Sequence, residues 1–177
     1  MEFEILGDPA DGPTLDLDHE QFAYAGKFVM SSTGKSVVRD DGTIVGATAF
    51  DEDRSELDTA RLRYVTVRND RQGEGLGSQV LGFTAEYLVG SGYDRVLIAA
   101  NNPIAYRACY RAGFEFTGRE TGIAELVLQY APDTVPDPDR YRQGLAVFRG
   151  RDLPEQHRAV LSTDEPPAVV ELPSDDG

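Results

Sequence analysis

Tryptophan is absent from this chain of 177 residues, and lysine nearly so: Lys27 and Lys35 are the two that occur. The single cysteine, Cys109, excludes an internal disulfide and a cysteine-rich zinc site. The histidines, His19 and His157, have no neighbouring ligand pattern and read as surface residues, so no metal is expected. No apolar run approaches the ~20 residues of a membrane-spanning helix, and no basic, apolar leader opens the chain. These absences together point to a cytoplasmic protein away from the membrane. Basic residues number 17 against 31 acidic ones and form no stripe, which excludes nucleic acid as a partner.

What is there suits one domain with an extension, since hydrophobic residues make up 40%, enough for a core. The most informative stretch runs Val65-Thr66-Val67-Arg68-Asn69-Asp70-Arg71-Gln72-Gly73-Glu74-Gly75-Leu76-Gly77-Ser78. A β-branched strand enters a turn with three glycines in five residues, and a helical pattern follows at once. Such a turn offers a row of backbone N–H groups and a positive helix N-terminus to an anion. A P-loop is excluded because no lysine lies near the turn. The dinucleotide fingerprint fails because the third glycine arrives one residue early, as Gly73-x-Gly75-x-Gly77.

Around that turn the pattern predicts strand, loop, helix, strand and helix. Leu76 to Leu88 reads as a helix weakened by Gly82, and Arg95 to Ala100 as a buried strand after a crossover. Asn102 and Pro103 open a second helix to Ala112, which Gly113 stops ahead of Phe114. Upstream, Phe3 to Leu6, Lys35 to Asp40, Thr43 to Phe50 and Ala60 to Val67 read as strands, with Asp41-Gly42 as a hairpin turn. A short helix is expected within His19 to Met30, and Glu115 to Thr117 and Ile123 to Tyr130 are read as closing strands.

The pattern Gln72-x-x-Gly75-x-Gly77, with Asn102-x-x-Ala105 leading to Gly113-Phe114, resembles the GNAT N-acetyltransferase family. The resemblance covers about residues 3 to 130 and implies an α/β (α+β) fold with a mixed, mostly antiparallel sheet flanked by helices. It implies acetyl-CoA as co-substrate, an amine acceptor, and direct acyl transfer. The amides of Gln72, Gly73, Glu74, Gly75, Leu76, Gly77 and Ser78 would hold the pyrophosphate. Val65 and Val67 would pair with the pantetheine arm, and Asn102 would contact the arm or cap the last helix. The family tyrosine, proton donor to the departing thiolate, falls here on Cys109; Tyr110 is the favoured substitute and Tyr106 the other. The general base is not legible: Glu120, Glu125 and a water chain are the candidates, and both carboxylates read first as surface charges. A non-catalytic acyl-CoA-binding module is the alternative that the displaced tyrosine permits, and the acceptor is not legible.

The charge of −14 resembles that of proteins from salt-loving cytoplasms, where ~1 M salt shrinks the screening length to roughly 3 Å. Attraction of a cationic amine or basic peptide is the other reading of that acidity. The organisation expected is an acyl-CoA domain over 1–130, a linker and helical extension over 131–161, and a disordered acidic tail over 162–177. Within the extension Asp139 to Arg149 reads as a helix, and Asp152 with Glu155 has capping-box spacing ahead of a short helix reaching Leu161. These helices fold back on the domain or cover the partner in a homodimer.

Overall fold

The computed structural model describes residues 1–9, 11–29 and 33–172. Seven strands form one sheet: β1 (Glu2–Leu6), β2 (Gly34–Asp40), β3 (Thr43–Glu52), β4 (Thr59–Val67), β5 (Arg95–Ala100), β6 (Glu115–Glu120) and β7 (Leu126–Tyr130), in the order β1-β2-β3-β4-β5-β7-β6. Every pairing is antiparallel except that of β4 with β5. The β2–β3 hairpin turns on Asp41 and Gly42, whose φ values of 50° and 79° match the right-handed twist of the strands they join.

Three helices cover one face: α1 (Leu76–Gly90), α2 (Pro103–Arg111) and α3 (Pro138–Arg149). A one-turn helix α4 (Glu155–Arg158) runs into a 3-10 turn. Leu62, Leu81, Ile98, Tyr106, Leu145 and Phe148 belong to the main core between these helices and the sheet. On the opposite face, Leu15 and Phe28 cover Val37, Ala47 and Ala49. The sheet is therefore buried on both sides at its centre, where it positions the site.

Several expectations shift. The short helix expected within His19 to Met30 is a series of turns and a 3-10 helix at Ala25–Val29; Met30 itself lies outside the described residues. β7 begins at Leu126, because Thr121 and Glu125 close a turn in which Ala124 takes a φ of 65°. The capping box at Asp152 does not form: α4 starts after Pro154 with no side-chain cap. The extension folds back on its own domain, burying Tyr141, Leu145 and Phe148 in the main core.

Residues 163–172 are described and lie against the helices, whereas 173–177 of the expected 162–177 tail lie outside the described residues. Val170 donates its N–H to Arg111 O at 2.7 Å, and the Asp164 carboxylate meets Arg149 at 2.6 Å. Leu172 occupies the notch left by Gly82: a Cβ there would lie 2.5 Å from Leu172 Cδ2 and 3.1 Å from Ala112 O. The glycine that weakens α1 thus lets α2 and the tail approach it closely.

Candidate active site

β4 and β5 pair only through Thr59–Arg95, Ala60–Val96 and Arg61–Leu97. Beyond that point the strands splay, and from Leu62 to Val67 the outer edge of β4 carries no strand among the described residues. A bulge marks the divergence, because Leu62 pairs with Phe50 and Tyr64 with Ala49, leaving Arg63 without a counterpart. Arg68 N–H bonds Val45 O at 2.9 Å on the β3 side. Alternation then turns the backbone groups of Thr66 and Tyr64 toward β3 and those of Val65 and Val67 toward the open edge. On β4 itself Thr66 Oγ1 is buried and without a hydrogen-bond partner among the described residues.

The open edge leads into the glycine turn. Gly73 and Gly75 take φ values of 85° and 84°, a conformation other residues adopt only with strain. Gly75 caps α1 with no side-chain hydrogen bond, so the first amides of a 15-residue helix remain available to an anion. A Cβ at Gly73 would meet nothing within 4 Å. Its backbone is open to a ligand. Leu76 and Ser78 are buried, and Ser78 Oγ donates to Ala108 O at 2.9 Å, which ties the cradle to α2. Gln72 Nε2 lies 3.4 Å from Asn69 Oδ1, and the Glu74 carboxylate pairs with Arg71 at 2.8 Å. Arg71 also meets Asp40 at 2.8 Å, and Arg68 is paired with Asp70. Neither arginine offers an uncompensated charge. Arg111 does: a Cβ at Gly75 would lie 3.6 Å from its Nη2, and no carboxylate pairs with it among the described residues.

α2 brings the remaining candidates. Asn102 caps it, accepting from Ala105 N at 2.8 Å. Cys109, in the slot of the family tyrosine, is 3% exposed, and burial pushes its thiol up to about 12. Tyr106 donates to Tyr141 O at 2.9 Å and is locked under α3. Tyr110, the favoured acid, packs on the far side of α2 from this opening. Its ring lies 4.6 Å from that of Tyr141, and its hydroxyl is raised by burial and then by Asp137 and Glu115, at the β6 edge of the sheet. That edge is two strands from the β4–β5 opening. Of the two base candidates, Glu120 is neutralised by Arg151 at 2.7 Å. Glu125 accepts from Thr121 Oγ1 at 3.3 Å in the turn before β7, whose first residue, Leu126, pairs with Ala100 at the end of β5. No group of three or more His, Cys, Asp or Glu suited to a metal occurs among the described residues.

Sequence reasoning missed the bulge at Arg63 and the role open to Arg111. A bulge leaves no mark on the alternation of so short a strand, and Arg111 reads as an ordinary helix-surface charge.

An open strand edge that runs into an anion cradle is the layout of an enzyme that lays a phosphate-tipped arm along its sheet. The chain belongs to the acetyltransferase (GNAT) family, whose model matches residues 4–114. It is by class an acyl-CoA-dependent N-acetyltransferase. Among solved structures, a Bacillus subtilis acetyltransferase in complex with CoA superposes with a TM-score of 0.56 at 17% identity, covering 73% of this chain and 99% of that one. A ribosomal-protein-alanine N-acetyltransferase from Brucella melitensis gives 0.49 at 19% identity, over 56% and 68% of the two chains. An N-acetyltransferase from Staphylococcus aureus Mu50 gives 0.48 at 17% identity, over 56% and 67%. At these identities the likeness concerns the fold, and that argument rests on the first. None of the curated proteins matches the chain significantly.

Proposed function

We propose that the chain transfers an acetyl group from acetyl-CoA to a primary amine of a small molecule or protein, without a covalent enzyme intermediate. The observation that carries this is the unpaired outer edge of β4, which begins at the Arg63 bulge and ends at the glycine cradle. The family model and the CoA complex of the Bacillus subtilis structure support the same co-substrate.

In this reading the pantetheine arm lies along β4 as an added strand, paired with the backbone of Val65 and Val67. The pyrophosphate rests on the amides from Gln72 to Ser78 at the positive end of α1. Asn102 serves as the cap that fixes α2 beside the arm. An outward N–H flanking the bulge polarises the thioester carbonyl and carries the oxyanion that forms on attack. Glu125, directly or through water, takes the proton from the ammonium, so that the amine lone pair adds to the carbonyl carbon. The C–S bond then breaks and CoA leaves as thiolate. Tyr110 takes no part, and water neutralises the thiolate.

The acidic surface is a solvation device suited to a salt-rich cytoplasm, where at high ionic strength it exerts little steering on a cationic acceptor. A non-catalytic acyl-CoA-binding module is the second reading, favoured by Cys109 where the family carries tyrosine. Release of free CoA thiol, followed with acetyl-CoA and a panel of primary amines in molar KCl, separates the two. Amine-dependent release is expected; tight binding with no release from any amine supports the binding module.

A further inference from the structure

The C-terminal segment makes its contacts with one residue twice over. Val170 N–H donates to Arg111 O at 2.7 Å, and Arg111 Nε donates to Ala168 O at 3.4 Å. With Nε so oriented, both terminal nitrogens of the guanidinium lie toward Gly75, 3.6 and 3.9 Å from where its Cβ would stand. The segment is held on both sides of this contact. At its start, Asp164 pairs with Arg149 at 2.6 Å and its carbonyl accepts from Arg142 at 3.1 Å. At its end, Leu172 fills the notch that Gly82 leaves between α1 and α2.

We propose that residues 163–172 form a strap that aims Arg111 at the phosphate cradle, so that the C-terminal extension sets the affinity for the phosphate-bearing end of acyl-CoA. The inference rests on the acyl-CoA reading given above and adds to it a part of the chain that lies outside the family's matched region, residues 4–114. Arg111 suits the role because the other arginines beside the loop are spent: Arg71 on Glu74 and Asp40, Arg68 on Asp70. A guanidinium at the open end of a helix adds a full charge to the partial charge of the amides, and its planar fork matches phosphate oxygens. Holding it in place before binding lowers the ordering cost that binding would otherwise meet. Linkage is reciprocal, so phosphate at the cradle must in turn stiffen the strap.

The test compares acetyl-CoA with S-acetylpantetheine, which lacks the nucleotide phosphates, by calorimetric titration of the full chain. Arg111→Gln is expected to weaken acetyl-CoA about tenfold and leave S-acetylpantetheine unchanged, with Arg111→Lys restoring part of the loss. Val170→Pro, which removes the N–H donor, is expected to lower the same affinity ratio about tenfold although Arg111 is intact. Should Val170→Pro unfold, as circular dichroism would show, Leu172→Asp takes its place. Hydrogen exchange gives an independent readout: acetyl-CoA, and not S-acetylpantetheine, should slow the amides of 163–172. An unchanged ratio in the strap variant, or no such protection, overturns the strap even if Arg111→Gln weakens binding. Failure of the unaltered chain to bind acetyl-CoA overturns the reading beneath it.

Discussion

Glu125 and Tyr110 stand differently in the sequence and in the proposal drawn from the fold. In the sequence Tyr110 is the nearer substitute for a missing proton donor, whereas Glu125 is one acidic residue among 31. In the fold Tyr110 lies against Tyr141, and Glu125 sits in the turn before β7, next to Leu126, which pairs with Ala100 at the end of β5; on this ground Glu125 is proposed as the base. Glu125→Gln is therefore expected to lower kcat by about 100-fold, the ordinary worth of a positioned base, with little change in acetyl-CoA affinity. In the same assay Tyr110→Phe should stay within about twofold of the unaltered chain. A normal rate in Glu125→Gln, or a large loss in Tyr110→Phe, would reverse the assignment. The cradle was legible in the sequence because its chemistry is that of the backbone, and glycine spacing reports backbone directly. The surroundings of Tyr110 and Glu125 were not, since they depend on α3 and β7, which lie far along the chain. Burial holds the Cys109 thiol up at about 12, so it stays protonated near neutral pH and supplies no thiolate nucleophile.

Among the elements, α2 is fixed by α3 through one tight approach. A side chain at Gly144 would collide with the Tyr106 hydroxyl, which donates to Tyr141 O at 2.9 Å. Gly144→Ala is expected to destabilise the fold by ~1–3 kcal/mol, a drop of several degrees in Tm at this size. An unchanged Tm would mean that α3 is not seated on α2 as described. The turn between β3 and β4 is held by Asp53, whose side chain is 5% exposed. Burial alone would raise its pKa, but hydrogen bonds from Ser55 and the pairing with Arg61 outweigh it and hold the carboxyl well below the usual range. A depressed pKa stabilises the folded state above the unfolded value of about 3.9 and loses that contribution as pH falls below it. Asp53→Asn should thus cost about 1–3 kcal/mol at pH 7, and urea melts should show the penalty shrinking below about pH 4. A penalty that is constant with pH would argue against the charged interaction. Alternation and caps made most strands and helices legible. The strap was not, because one of its anchors is a backbone N–H, that of Val170, which no side chain reports, and the other, Leu172, stands in an acidic, proline-containing stretch that by composition alone reads as disordered.

Over the whole molecule, a charge of −14 surrounds a site that must hold the phosphates of a polyanion. Self-repulsion and repulsion of the ligand both weaken as salt screens them, so acetyl-CoA affinity at the cradle should survive molar KCl. The fold concentrates its compensating charge where it is needed, at the end of α1 and at Arg111. Thermal unfolding in molar KCl with acetyl-CoA, against ATP and NAD at the same concentration, tests this account most directly. Acetyl-CoA at about 100 times its dissociation constant should add roughly 2.7 kcal/mol and raise Tm by several degrees. The account predicts that shift with acetyl-CoA alone; no shift, or a larger one with either nucleotide, would contradict it.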